Sequence, residues 1–347
     1  MRDTTVDTEQ THAEGVLDST VEPSSDVKPI LEVRNLHVSY DTVRGPIQAV
    51  RGLSFQLMPN EVLGLAGESG SGKSTLALAL LRMIKNPGRI VEGEVLLDGR
   101  DLLSLSEREM RHVRLADIAM VAQGAMNSLN PVMRIRDQII DAWTDHGIRY
   151  GRQESEERVA DLLRWVGLRP DVARLYPHEL SGGMKQRVVI AIAISLRPRV
   201  IIADEPTSAL DVVVQRQIIS TLRRVQTDLQ AAVILIGHDI GLMAQSVQKL
   251  GIMYAGKVAE MSPVYEMFDE PMHPYTRMLI DSLPSPDQKG QLRGIPGITP
   301  SLLDPPPGCA FNDRCPYALE RCTTEIPALE EKRPNRMVAC HLFTEGQ

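Results

Sequence analysis

An apolar run, Val62-Leu63-Gly64-Leu65-Ala66, leads directly into Gly67-Glu68-Ser69-Gly70-Ser71-Gly72-Lys73-Ser74, and Leu76, Leu80, Leu81 and Ile84 follow at helical spacing. Few folds admit that order of buried strand, glycine-rich loop and helix. The glycines let backbone N–H groups turn inward around phosphate oxygens at the N-terminus of the helix. Lys73 then reaches the β- and γ-phosphates, and the Ser74 hydroxyl is a ligand for Mg²⁺.

Two further apolar runs, Val200-Ile201-Ile202-Ala203 and Val233-Ile234-Leu235-Ile236, are separated by a helix with Val214, Ile218, Leu222, Val225 and Leu229 on one face. Strands alternating with helices predict a mostly parallel sheet covered on both faces. Asp204-Glu205 and His238 follow the two runs, at strand ends where open α/β sheets bind ligands. Asp204 suits Mg²⁺, through water, and Glu205 suits the base that polarises an attacking water; His238 suits a γ-phosphate contact. Ser181-Gly182-Gly183 opens the apolar helix of residues 188–196, where Ser181 caps it and the glycines leave N–H groups open to an anion. Alternation at Leu31, Val33, Leu36 and Val38 and at Leu53, Phe55 and Leu57 predicts an edge sheet. Residues from about 106 to 185 read as a helical insert.

Of the net charge of −7, residues 1–29 hold −5, since seven acids face only Arg2 and Lys28. The remainder is nearly neutral, and with 4% aromatics it offers neither the basic field nor the stacking surface of a nucleic-acid binder. No stretch approaches the roughly 18 apolar residues of a membrane helix. The first 29 residues read as a disordered acidic tail, with no signal peptide. All four cysteines, Cys309, Cys315, Cys322 and Cys340, lie in the last 39 residues, behind a segment with seven prolines in residues 284–308.

In this order the motifs resemble the nucleotide-binding subunit of ATP-binding cassette (ABC) transporters, from residue 30 to about 262. The resemblance implies a P-loop NTPase fold: a RecA-like, mostly parallel α/β core with an antiparallel edge sheet and a helical insert. It aligns Tyr40 with the aromatic that stacks on adenine and Gln123 with the glutamine that senses Mg²⁺ and meets the membrane subunits. Gly67, Ser69, Gly70, Ser71, Gly72, Lys73, Ser74 and Thr75 align with the phosphate loop, and residues 180–184 with the signature. Ser208-Ala209-Leu210-Asp211 aligns with the segment crossing the dimer interface, and His238 with the switch histidine. Two such subunits then sandwich two ATP molecules, each site completed by its partner's Ser181 and Gly183. Met184 departs from the commoner glutamine, at a position not expected to touch phosphate.

Pro271-Met272-His273-Pro274-Tyr275-Thr276, Pro296-Gly297, Pro307-Gly308-Cys309 and Arg314-Cys315-Pro316 resemble the C-terminal extension of oligopeptide/dipeptide importers. Asn127-Ser128-Leu129-Asn130-Pro131 agrees with that branch, whereas Gly124-Ala125 departs from its usual Asp-Pro. The branch implies an extension over residues 263–347, a homologous ATPase partner, two permeases and a substrate-binding protein, with this subunit on the cytoplasmic face of the membrane. Short peptides are its expected cargo, with oligosaccharides or nickel as alternatives, and a DNA-clamping ATPase is a remote one. The spacing C-x₅-C-x₆-C-x₁₇-C has no tight C-x₂₋₄-C knuckle of a zinc site. Four thiolates suit the [4Fe–4S] cluster that the branch carries; zinc and unligated thiols remain alternatives.

Overall fold

The computed structural model describes residues 27–124, 128–283 and 294–343. Most of the acidic tail, Ala125, Asn127 and the start of the proline-rich segment lie outside the described residues.

Two sheets organise the chain. β1 (Leu31–Thr42), β2 (Gly45–Leu57), β4 (Gly88–Leu97) and β5 (Arg100–Asp101) form an antiparallel sheet in the order β2-β1-β4-β5. The larger sheet holds β3 (Val62–Ala66), β6 (Ile118–Val121), β7 (Val200–Asp204), β8 (Ala232–Ile236), β9 (Lys249–Tyr254), β10 (Lys257–Pro263), β11 (Glu330–Arg333) and β12 (Arg336–Val338), ordered β11-β12-β10-β9-β3-β8-β7-β6. From β9 to β6 neighbours run parallel; β10, β12 and β11 are antiparallel.

Every residue of β3, β7 and β8 is buried, as a sheet covered on both faces requires. Alternation along each strand then feeds two cores. Leu63, Leu65, Val200, Ile202, Ala232 and Ile234 face the core shared with β1, β2, β4 and α1 (Lys73–Leu80). Their neighbours Val62, Ala66, Ile201, Ala203, Val233 and Leu235 face the other core, built with the helical insert.

That insert holds α2 (Glu107–Val113), α3 (Ile135–Asp145), α4 (Arg152–Trp165) and α5 (Gly182–Ala193). Ile135, Ile139 and Trp143 of α3 meet Val159, Leu162 and Leu163 of α4 in one core, which is the helical periodicity the sequence shows. Within the insert the structure adds a strand: β6 pairs in parallel with β7. Four consecutive apolar residues carry no period that separates a buried strand from a helix turn. The remaining α-helices among the described residues are α6 (Val212–Leu229), α7 (Ile240–Ala244), α8 (Val264–Asp269) and α9 (Pro274–Asp281).

The extension packs onto the sheet instead of trailing from it. Tyr254 of β9, Tyr275 of α9 and Phe311 form one aromatic group with ring centroids 4.6–5.3 Å apart, inside the core shared with the insert. Glu260 of β10 is fully buried, and its carboxylate accepts from the N–H groups of Met272 at 3.0 Å and His273 at 2.8 Å. Burial raises its pKa, partly opposed by those two donors.

His273 caps α9: its Nδ1 accepts from the Tyr275 N–H at 3.0 Å, so the proton sits on Nε2, where it donates to the carbonyl of Ala339 beyond β12. Burial drives its pKa down from 6.5 to about 4. The unfolded chain therefore takes up this proton first, and the stability contributed at neutral pH fades as pH falls from about 6.5 to about 4. The expected loss is on the order of 3 kcal/mol by pH 4. Urea unfolding of the wild type should weaken across that window more than unfolding of His273→Gln, a comparison in which the opposing titration of Glu260 cancels. Parallel pH profiles would show that His273 is not held neutral.

Candidate functional site

The carboxyl ends of four neighbouring parallel strands deliver the predicted site. β3 runs into residues 67–74, β8 ends two residues before His238, β7 ends on Asp204 and β6 ends two residues before Gln123. The loop needs its glycines: Gly67, Gly70 and Gly72 all have positive φ, at 148°, 78° and 102°. A Cβ on Gly67 would strike the carbonyl oxygen of Met253, and one on Gly72 that of Ala49.

Lys73 is buried at the first turn of α1, and its ammonium donates to the carbonyls of Gly67 at 2.8 Å and Glu68 at 2.9 Å and to Ser71 Oγ at 3.1 Å. Burial lowers its pKa, opposed by Glu205, Asp204 and Glu68. The ammonium thus spans the loop, where β- and γ-phosphate oxygens would take over as acceptors. Ser74 Oγ donates to Asp204 Oδ1 at 3.2 Å. Burial pushes the Asp204 carboxyl up, against the Ser74 bond and Lys73. A hydroxyl and a carboxylate meeting at one part-buried point are the hard oxygen donors that Mg²⁺ takes, so the pair fits that ion.

Glu205 adopts left-handed backbone at φ 46°, a strained conformation for a residue with a side chain, and its carboxylate is hydrogen-bonded through one oxygen and faces His238 with the other. Gln123 Nε2 donates to Oε2 at 2.7 Å, and His238 Nδ1 lies 3.6 Å from Oε1. The His238 side chain is 72% exposed, open to a ligand arriving from solvent. Glu205, Ser208, Ala209, His238 and Asp239 line one cavity of about 150 Å³. A larger cavity of about 440 Å³ lies away from this chemistry, among Trp143, Tyr150, Trp165 and Arg197 of the insert and its surroundings. Depth is a poor guide here, since amides at a helix end grip phosphate without a deep cavity.

The other predicted residues fall elsewhere. Ser181 caps α5, accepting from the Met184 N–H at 3.3 Å, and a Cβ on Gly183 would stand 2.6 Å from Val214 Cγ1 of α6. Asp211 caps α6 in the same way, accepting from the Val214 N–H at 3.0 Å. Tyr40 sits on β1 opposite Gly88, with its ring 2.6 Å from where a Cβ on Gly88 would stand. Thr75 lies in the first turn of α1.

The expected [4Fe–4S] set finds no support in the structure. Among the described residues, no group of three or more His, Cys, Asp or Glu side chains is arranged to hold a metal ion. The thiols do share one region, where the Cys309 N–H donates to the Cys322 carbonyl at 2.8 Å. Burial pushes the thiol of Cys309 up to about 11 and that of Cys340 to about 12, with the neighbouring cysteines adding to both shifts.

Sequence reading placed Arg314 and Glu68 in their motifs but missed the part that each plays. Arg314 Nη1 and Nη2 donate to Glu68 at 2.8 and 2.9 Å, tying the extension to the phosphate loop. Glu68 lay in plain view inside the loop, but nothing in its spacing points 246 positions ahead.

Comparison with known proteins agrees with this geometry. Residues 50–208 match the ABC transporter family, and residues 259–322 match the "Oligopeptide/dipeptide transporter, C-terminal region". The chain is 42% identical to the dipeptide transport ATP-binding protein DppD of Caldanaerobacter subterraneus, over 92% of this chain and 98% of that one. It is 43% identical to DppD of Escherichia coli, over 90% and 96%, and 42% identical to the oligopeptide transport ATP-binding protein OppD of Bacillus subtilis, over 85% and 83%. Among solved structures, the dimeric bacterial ABC transporter cassette MJ0796 superposes with a TM-score of 0.61 at 26% identity, covering 67% of this chain and 98% of that one. A post-hydrolysis state of the same cassette, bound to ADP and phosphate, gives a TM-score of 0.60. No helix among the described residues is long and apolar enough to cross a membrane. The chain therefore belongs to the ABC transporter family as an ATP-binding, ATP-hydrolysing subunit, in the branch that carries the oligopeptide/dipeptide C-terminal region.

Proposed function

We propose that this subunit powers the import of short peptides, paired with a second ATPase subunit beneath two permeases at the cytoplasmic face of the membrane. The observation that carries the reading is the joining, through one aromatic core, of a cassette carrying the phosphate loop, Asp204, Glu205 and His238 to an extension of the oligopeptide/dipeptide type.

In this mechanism the amides of residues 67–74 and Lys73 bind the β- and γ-phosphates, and Ser74 and Asp204 hold Mg²⁺, which neutralises charge on the phosphates when bound. Glu205 orients and polarises the attacking water, with Gln123 holding its carboxylate and His238 beside it. Ser181 and Gly183 head α5 and present a helix N-terminus, suited to the γ-phosphate held by a partner subunit. ATP then favours the closed pair, and hydrolysis releases it, a population shift set by the ligand.

For the four cysteines, the [4Fe–4S] reading on Cys309, Cys315, Cys322 and Cys340 rests on the number and type of donors in the sequence and not on the arrangement of the side chains, with zinc as the alternative. Metal analysis after anaerobic purification should find about four irons per chain if that reading holds; colourless, iron-free protein would end it.

Glu205→Gln should bind ATP as the wild type does while turnover falls by about 10²–10⁴. Undiminished phosphate release would remove Glu205 from the base role. A strain lacking this subunit should lose uptake of labelled di- and oligopeptides. Normal peptide uptake with loss of nickel or oligosaccharide uptake would reassign the cargo.

A further inference from the structure

Glu68, the second residue of the phosphate loop, is fastened on every side. Its N–H donates to Tyr275 Oη at 3.0 Å, and its carbonyl accepts from Lys73 Nζ at 2.9 Å and from the Ser71 N–H at 3.2 Å. Its carboxylate accepts from both terminal nitrogens of Arg314, at 2.8 and 2.9 Å, and from Thr299 Oγ1 at 2.9 Å. Tyr275, Thr299 and Arg314 all belong to the extension. The loop residue whose carbonyl holds the catalytic-site lysine is thus placed by a segment more than 200 positions away.

Arg314 is built for that task. A guanidinium has five N–H donors, and here five acceptors meet them. Two are the Glu68 oxygens; the others are Tyr254 Oη at 3.0 Å, the Pro296 carbonyl at 2.8 Å and the Ile295 carbonyl at 3.3 Å. The side chain is only 5% exposed, and it lies 5.7 and 5.8 Å from the ring centroids of Tyr254 and Phe311. Fork-to-fork pairing with a carboxylate fixes direction as well as charge, which a lysine does not reproduce. The pair also holds the Glu68 carboxyl below its usual range, first through the Arg314 hydrogen bonds.

We infer that Arg314 is a positioning residue for nucleotide binding: through Glu68 it presets the phosphate loop, so that affinity for ATP depends on the docked extension. The inference rests on this loop binding ATP. A pair that merely glued the extension to the sheet would move stability and leave affinity alone.

Equilibrium titration of the full-length chain with a fluorescent ATP analogue and Mg²⁺, well below the melting transition, separates the two. Arg314→Gln and Glu68→Gln should each weaken binding about tenfold, the order expected for a buried charge-assisted pair. Their double variant should bind no more weakly than the weaker single, and Arg314→Lys should recover part of the loss. In the assembled ATPase the same variants should raise KM for ATP and leave kcat within about threefold. Tyr275→Phe, which removes the acceptor of the Glu68 N–H and keeps the ring, should weaken binding by about threefold. Should Arg314→Gln fail to fold, Tyr275→Phe decides alone. Wild-type affinity in the folded variants, or losses that multiply in the double variant, would overturn the inference. A wild-type chain that fails to bind ATP would instead remove the nucleotide-site reading itself.

Discussion

A single ammonium, buried at the head of α1 and hydrogen-bonded to three oxygens of its own loop, sets the terms for everything around it. Burying that charge is costly unless acceptors and acids surround it. The loop supplies the acceptors, and Glu205, Asp204 and Glu68 supply the opposing charge. The glycines follow from the same requirement, because carbonyls and amides can crowd round one point only where no Cβ intrudes. What results is a place where anionic phosphate can be exchanged for neutral backbone oxygens at little structural cost.

The parallel sheet turns that local arrangement into a site. Strands β3, β8, β7 and β6 lie side by side, so their ends bring Lys73, His238, Asp204, Glu205 and Gln123 together from four separate stretches of chain. The extension is part of the same construction. Its aromatic residues complete the core beside β9, its last strands lengthen the sheet, and Arg314 reaches back to the loop. A cassette and its appendage here share one core, and the chemistry of the first is anchored by the second.

How much of this the sequence discloses depends on the range of the interaction. β3, β7 and β8 are legible because unbroken apolar runs stop at residues with evident chemistry, and Glu205 and His238 are legible for the same reason. β6 is not, being four apolar residues inside a stretch dominated by helical signals. β11 is hidden more deeply: Glu330-Glu331-Lys332-Arg333 has no strand propensity and takes that form by pairing with β12 at the sheet edge. The links from Glu68 to Arg314 and from His273 to Ala339 arise only from tertiary packing, which no local pattern encodes.

Calorimetric titration of the intact chain with ATP, in the presence and absence of Mg²⁺, goes most directly to the central claim that Ser74 and Asp204 hold the metal beside the phosphates. ATP should bind more tightly with Mg²⁺ in the wild type, and Asp204→Asn should erase that gain while keeping the metal-free affinity. An equal response to Mg²⁺ in the two proteins would contradict the account.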